Sequence, residues 1–252
     1  MKGFRSALMQ KKPLIGSWIQ TGSPAAAEIL AGAGFDWIAV DCEHSSIGIE
    51  EFTQAARGLH GRDVTALARV RENDTLAIRQ ALDMGAEGVI VPMVNSAEEA
   101  KKAVAAAKYP PLGRRGFGYC RANNWGMDFD AYAARANEDV SVIVMIESRE
   151  AVEQIDAILE VEGVDGVFVG PYDMSGSYGC VGKTDDPVIA KACQIVAEAC
   201  ERHRKAAGRH IVQPSREAVS QALEQGFTFI ALGADIVFLA NASREAMRYV
   251  KR

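Results

Sequence analysis

Apolar residues along this chain fall into two alternating patterns. Short runs rich in Val, Ile and Ala, at 14–19, 37–40, 65–70, 88–92, 142–146, 167–170, 210–212 and 229–232, read as strands buried on both faces. Most are followed by longer segments with apolar positions three and four apart, at 24–33, 49–59, 75–84, 97–107, 150–159, 187–206 and 216–225, which is the period of an amphipathic helix. Gly34, Gly85, Gly163 and Gly226 stand between a helix and the next strand, where a left-handed cap ends a helix. Such alternation dictates a parallel sheet, either open and doubly wound or closed on itself. Eight units in 252 residues point to an α/β fold of the closed kind, a (β/α)8 TIM barrel forming one domain over residues 1–252.

Two stretches lie outside the repeat. Residues 108–125 are irregular and rich in Gly, Pro and Arg; following a helix rather than a strand, they are expected to serve assembly. Residues 236–250 read as a final amphipathic helix.

The balance of charge narrows the partners. The chain is 48% hydrophobic and 24% charged with a net charge of −5, and its basic patches, such as Lys101-Lys102 and Arg202-His203-Arg204-Lys205, suit solvated helix faces. A nucleic-acid partner is not expected. Five cysteines without a Cys-x-x-Cys pair indicate reduced thiols and a cytoplasmic location. The first twelve residues lack the apolar core of a signal peptide, and no apolar run reaches the ~20 residues that span a bilayer, so no membrane partner is expected either.

Candidate chemistry collects where strands end, because a barrel of this kind carries its site at the carboxyl ends of its strands. The fifth run stops at Glu147 and the sixth at Gly170-Pro-Tyr-Asp173. Either acid alone reads equally well as a surface carboxylate. As a pair on strands roughly 5 Å apart, with no thiolate beside them, they suit a hard divalent cation such as Mg²⁺ or Mn²⁺. The second run ends in Asp41, Glu43 and His44, the third in Arg69 and Arg71, the seventh in Gln213 and Ser215. His44 is a natural proton carrier at neutral pH, and Arg69 brings a positive fork to a carboxylate or oxyanion; their alternative roles are a satisfied structural ring and an ion pair closing the barrel end. Asp83, late in the third helix, reads as a surface acid. No lysine ends a strand, which argues against an imine mechanism. Phosphate-cradling and nucleophile-elbow motifs are absent from the sequence, and the glycines at 113, 116 and 118 lack dinucleotide spacing.

At this point the chain resembles the HpcH/HpaI metal-dependent pyruvate aldolases. The likeness rests on Gly34-Phe-Asp-Trp-Ile-Ala-Val-Asp-Cys-Glu-His44, Val91-Pro-Met93, Tyr109-Pro-Pro-Leu-Gly-Arg-Arg-Gly116 and Val161-Glu-Gly-Val-Asp-Gly-Val-Phe-Val-Gly-Pro-Tyr-Asp173. It implies a class II pyruvate aldolase that splits 4-hydroxy-2-oxo acids through a metal-stabilised enolate, with Mg²⁺, Mn²⁺ or Co²⁺ and no organic cofactor. It further implies a homohexamer, a trimer of dimers whose last helix is exchanged between subunits. By the same resemblance Glu147 and Asp173 are the metal ligands, His44 moves the proton with Asp83 as its dyad partner, and Arg69 steadies the enolate oxygen beside Asp41. The turn of Gly170, Pro171, Tyr172 and Asp173 would bind the substrate carboxylate, and Gln213 and Ser215 would shape the aldehyde pocket. Two departures stand out: Met145 replaces a glutamine common two residues before the metal glutamate, and Gln213-Pro-Ser215 replaces small or apolar residues. The alternatives are a metal-enolate enzyme with a citrate-type or CoA-ester electrophile, and a non-catalytic barrel that binds a 2-oxo acid.

Overall fold

The computed structural model describes residues 3–250. Eight parallel strands, β1 (Leu14–Ile19), β2 (Trp37–Asp41), β3 (Thr65–Arg69), β4 (Gly88–Val91), β5 (Ser141–Ile146), β6 (Gly166–Val169), β7 (Ala206–Ile211) and β8 (Phe229–Ala234), close into a barrel in chain order. The helices are α1 (Phe4–Met9), α2 (Pro24–Gly32), α3 (Ile49–Leu59), α4 (Thr75–Asp83), α5 (Ala97–Ala107), α6 (Phe129–Asp139), α7 (Arg149–Glu153), α8 (Ile155–Leu159), α9 (Pro171–Ser177), α10 (Pro187–His203), α11 (Arg216–Glu224) and α12 (Asp235–Arg248).

Alternation along each strand makes two apolar layers. Inward side chains fill the barrel with aromatic rings: Trp18, Trp37, Phe168 and Phe229 are buried together, and Trp37 lies 4.3 Å from Phe229 between ring centroids. Each such burial contributes about 1.5–3 kcal/mol. These rings need space on neighbouring strands. A Cβ on Gly16 would come within 2.1 Å of Trp37, and one on Gly208 within 2.6 Å of Phe168. Outward residues such as Ile38, Val40, Val89, Val91, Val142 and Val144 pack under the helices. Helix α1 brings Phe4 and Leu8 into the inner cluster with Phe229 and Leu14, so the amino-terminal mouth is closed and the carboxyl-terminal one is left for a site.

Polar caps start the helices that leave the strands. Asp74 accepts from Leu76 N and Ala77 N, and Ser148 from Ala151 N, which satisfies backbone donors that the first helical turn leaves free. Gly85, after α4, has φ +103°, the left-handed conformation expected there.

The structure departs from the predicted elements at five places. Residues 150–159 are two short helices, α7 and α8, broken at Gln154. Strand β7 begins at Ala206 rather than at 210, because Arg204 adopts φ 56° and ends α10 early. Its first residues, Ala206, Ala207 and Gly208, are small and neutral to either pattern. Asp173 is not at the end of β6; it is the third residue of α9, whose first position is Pro171. The polar amino terminus and the stretch before β5 also carry helices, α1 and α6, that the periodicity does not predict.

Candidate active site

The carboxyl-terminal mouth is organised around Asp41. Its position at the end of β2 is in register with Arg69 at the end of β3. Asp41 is fully buried and accepts from Arg69 Nε at 2.9 Å and from Gln20 Nε2 at 2.7 Å, while its second contact to Arg69 runs through Nη2. It also accepts from the backbone N–H groups of Glu43 and His44, at 3.0 and 3.1 Å. Burial alone would raise its pKa, but the Arg69 guanidinium and these donors together hold it below the usual carboxylate value. One carboxylate thus aims an arginine, a glutamine and the loop that carries Glu43 and His44.

Arg69 is sandwiched on its other side by Trp18, 4.9 Å from the ring centroid. Its Nη1 lies 3.2 Å from Glu43 Oε2 without hydrogen-bond geometry, and that oxygen is buried with no hydrogen-bond partner. Burial raises the Glu43 pKa, against the pull of Arg69. His44 holds its ring outward, 59% exposed, with Nε2 3.8 Å from Glu43 Oε2.

Glu147 leaves the end of β5 and is buried, with Oε1 accepting from Met93 N at 2.6 Å. Met93 presents that N–H from a left-handed conformation, φ 54°. Burial pushes the Glu147 carboxyl up to about 7, and the charges of Glu43 and Asp173 push the same way. Gly170 makes room for it: a Cβ there would stand 2.8 Å from both Glu147 Cβ and Oε2. Asp173 is exposed at the start of α9, near enough for its charge to act on both Glu43 and Glu147. Among the described residues no three His, Cys, Asp or Glu side chains form a closed metal cage. The candidate donors are instead the Glu147 carboxylate and the Asp173 carboxylate, whose charge acts on it. That arrangement fits a hard divalent cation with open positions for water and substrate.

One expected site residue, Asp83, lies away from the mouth, and two on the loop between β7 and α11, Gln213 and Ser215, bond to neighbours of their own. Asp83, at the far end of α4, accepts from Arg115 Nη2 at 2.7 Å; Arg115 is buried against the rings of Tyr109 and Tyr132, and within one chain Asp83 does not meet His44. Ser215 gives its oxygen to Ala218 N as the cap of α11, and Gln213 is exposed and bonded to Asn241 of α12 at 3.0 Å. Tyr172 is 65% exposed and Pro171 half-buried on the α9 turn. Met145 points inward beneath Glu147, so the departure noted in the sequence puts an apolar side chain on the floor of the mouth. Of two further groups at the mouth, the sequence marks Glu43 by its place at a strand end but not Gln20. Gln20, at the end of β1, has no charge to mark it. Glu43 sits at a strand end but lacked a role until its orphaned oxygen was visible.

The sequence model of the HpcH/HpaI aldolase/citrate lyase family matches residues 14–242. A 4-hydroxy-2-oxo-heptane-1,7-dioate aldolase from Escherichia coli is 38% identical over 242 residues, covering 95% of this chain and 91% of the relative. Among solved structures, an HpcH/HpaI aldolase/citrate lyase family protein from Burkholderia cenocepacia superposes with a TM-score of 0.93 at 31% identity, covering 98% of each chain. A citrate synthase superposes with a TM-score of 0.85 at 28% identity, covering 97% of this chain and 96% of its own.

Proposed function

The chain belongs to the HpcH/HpaI aldolase/citrate lyase family, and from that premise we propose that it cleaves 4-hydroxy-2-oxo acids reversibly into pyruvate, or a related 2-oxo acid, and an aldehyde. The enzyme is a carbon–carbon lyase of the aldolase kind. The observation that carries the substrate class is the meeting of the Asp41–Arg69 pair with the Glu147 and Asp173 carboxylates at one mouth. Cleavage of the C3–C4 bond sends an electron pair toward the keto oxygen, so the site must meet negative charge there.

Arg69 is held by Asp41 and Trp18 in one orientation, and its N–H groups not taken by Asp41 would meet that oxygen. Glu147 and Asp173 would hold a divalent cation, Mg²⁺, Mn²⁺ or Co²⁺, which supplies further positive charge for the keto oxygen. The backbone of the Gly170–Asp173 turn would take the substrate carboxylate. His44, exposed at the rim, would remove the proton of the C4 hydroxyl through a water and return one to C3. Apolar Met145, Trp18 and Phe168 keep water from the floor below.

The assembly proposed is a homohexamer that exchanges its last helix. In its support, α12 carries Ile236, Leu239 and Met247 on an exposed face. A His44–Asp83 dyad would then have to join two copies. No helix of the described residues is long and apolar enough to cross a membrane.

A second reading keeps the enolate and changes the electrophile to a 2-oxo diacid, as the likeness to a citrate synthase suggests. Two assays on one preparation separate them: condensation of pyruvate with oxaloacetate, and pyruvate release from a racemic 4-hydroxy-2-oxo acid, coupled to lactate dehydrogenase, with EDTA, with Mg²⁺ or Mn²⁺ restored, and with Glu147→Ala and borohydride controls. Metal-restored release lost in Glu147→Ala supports the aldolase. Release that survives EDTA and is lost to borohydride overturns the metal mechanism. Condensation with oxaloacetate without cleavage activity favours the second reading.

A further inference from the structure

The inner face of β7 ends on His210, a residue without a part in the mechanism above. Inward positions on this strand alternate from Gly208, which has no room for a side chain, to His210 one step nearer the mouth. The strand stops at Ile211, so His210 is the last side chain β7 sends into the barrel. It is half-buried, its ring 6.1 Å from that of Trp18, on a floor otherwise made by Trp18, Met145, Phe168 and Ala231. Burial holds it neutral, lowering its pKa below the ordinary histidine value, with the Arg69 charge acting the same way.

The hydrogen bonds settle its tautomer. Nε2 lies 2.9 Å from the Gly233 carbonyl oxygen, which can only accept, so Nε2 bears the proton. Nδ1 is then a bare acceptor, and among the described residues it has no hydrogen-bond partner. Trp18 is the other polar-tipped ring on the floor, but its Nε1–H is sealed from solvent and unpartnered. His210 therefore asks for a hydrogen-bond donor from whatever enters the mouth. A carboxylate or keto oxygen would oppose its lone pair; a hydroxyl would satisfy it.

This inference rests on the 2-oxo-acid reading. With the substrate carboxylate at the α9 turn and the keto oxygen at Arg69, both on the rim, the remaining substituent of the keto carbon is the C3 group. That group is left to face the inner wall where His210 stands. We propose that His210 is a specificity-determining residue whose Nδ1 accepts a hydrogen bond from a hydroxyl on C3, so that the enzyme favours hydroxylated over plain 2-oxo acids as its nucleophilic partner.

The test compares hydroxypyruvate with pyruvate in aldol addition to one acceptor aldehyde, with Mg²⁺ present, in the wild type, His210→Leu and His210→Asn. The ratio of the two kcat/KM values is expected to favour hydroxypyruvate in the wild type and to fall about tenfold in His210→Leu, the worth of one buried hydrogen bond. His210→Asn, which keeps an acceptor, should recover part of the ratio. An equal ratio in wild type and His210→Leu overturns the proposal. A second arm needs neither turnover nor a stable variant. In wild-type protein with nitrogen-labelled histidine, hydroxypyruvate should move the Nδ1 resonance of His210 beyond any change caused by pyruvate. Identical shifts with both ligands overturn the proposal even if neither reacts, whereas failure of turnover with both counts against the aldolase reading.

Discussion

Asp41 and Arg69 occupy partnered positions on β2 and β3, and their side chains close a two-pronged ion pair where those strands end. Asp41 is fully buried, so the pair is one whose breakage leaves an uncompensated charge. Asp41→Ala is expected to cost about 3–5 kcal/mol in urea unfolding. It should also lower kcat/KM about a hundredfold, because Arg69 and the Glu43–His44 loop lose their common anchor. Asp41→Asn keeps the acceptor oxygen and should lose less stability. If Asp41→Ala melts like the wild type, the pair is not the organiser described above.

Gly170 is small for a reason set by Glu147. A methyl group there would press on Glu147 Cβ and Oε2 at 2.8 Å, with strand β5 on one side and α9 on the other. Gly170→Ala is expected to leave the barrel folded but to turn the Glu147 carboxylate away, weakening Mn²⁺ binding about 10–100-fold by calorimetric titration. Unchanged Mn²⁺ affinity would show that Glu147 is not a ligand.

Asp83, half-buried, and Arg115, fully buried, make a second ion pair far from the mouth. Arg115 is closed off between Tyr109 and Tyr132, and among the described residues Asp83 is the one carboxylate it reaches, at 2.7 Å. Asp83→Ala should therefore destabilise by about 3–5 kcal/mol even without substrate or metal, and Arg115→Leu in the same background should recover much of it. A full loss of activity with no loss of stability would instead place Asp83 with His44 across a subunit boundary.

Much of the frame was legible because its signals are periodic. The eight buried runs, their order and the strand-end acids follow from alternation and chain length alone, and β1 lies on the residues its apolar run spans. What escaped depends on contacts between distant residues. Asp173 sits on a helix, not a strand end, because Pro171 fixes the backbone for a first helical turn directly after Gly170. Ser215, placed at the mouth by its position after β7, has its oxygen engaged in capping α11, a contact that only the fold reveals. His210 was hidden by a misplaced strand start: with β7 read from 210, its side chain sits at an entrance rather than on the floor. Small residues at 206–208 carry no period, so only their packing against Phe168 and Phe229 reveals which face is inside.

Glu147 makes stability depend on pH in a direction opposite to most native carboxylates. Its pKa stands at about 7 in the fold, against 4.5 for the free group, and burial is the main cause. Between those values the folded protein holds a proton that the unfolded chain has released, so stability falls as pH rises through that window and the full cost is present above it. Glu147→Gln removes the ionisation. Without metal it should be more stable than the wild type at pH 8, by at most about 3 kcal/mol, with the difference gone near pH 4. The same proton must leave when a cation binds, so Mn²⁺ affinity of the wild type should rise with pH up to about 7 and then level off. Urea unfolding at both pH values, with and without Mn²⁺, reads all of this. Saturating Mn²⁺ should reverse the order at pH 8, stabilising the wild type and not the variant. A variant that gains nothing at pH 8 without metal would mean that Glu147 is ionised at no cost in the fold, and its place as a carboxylate waiting for a cation would be lost.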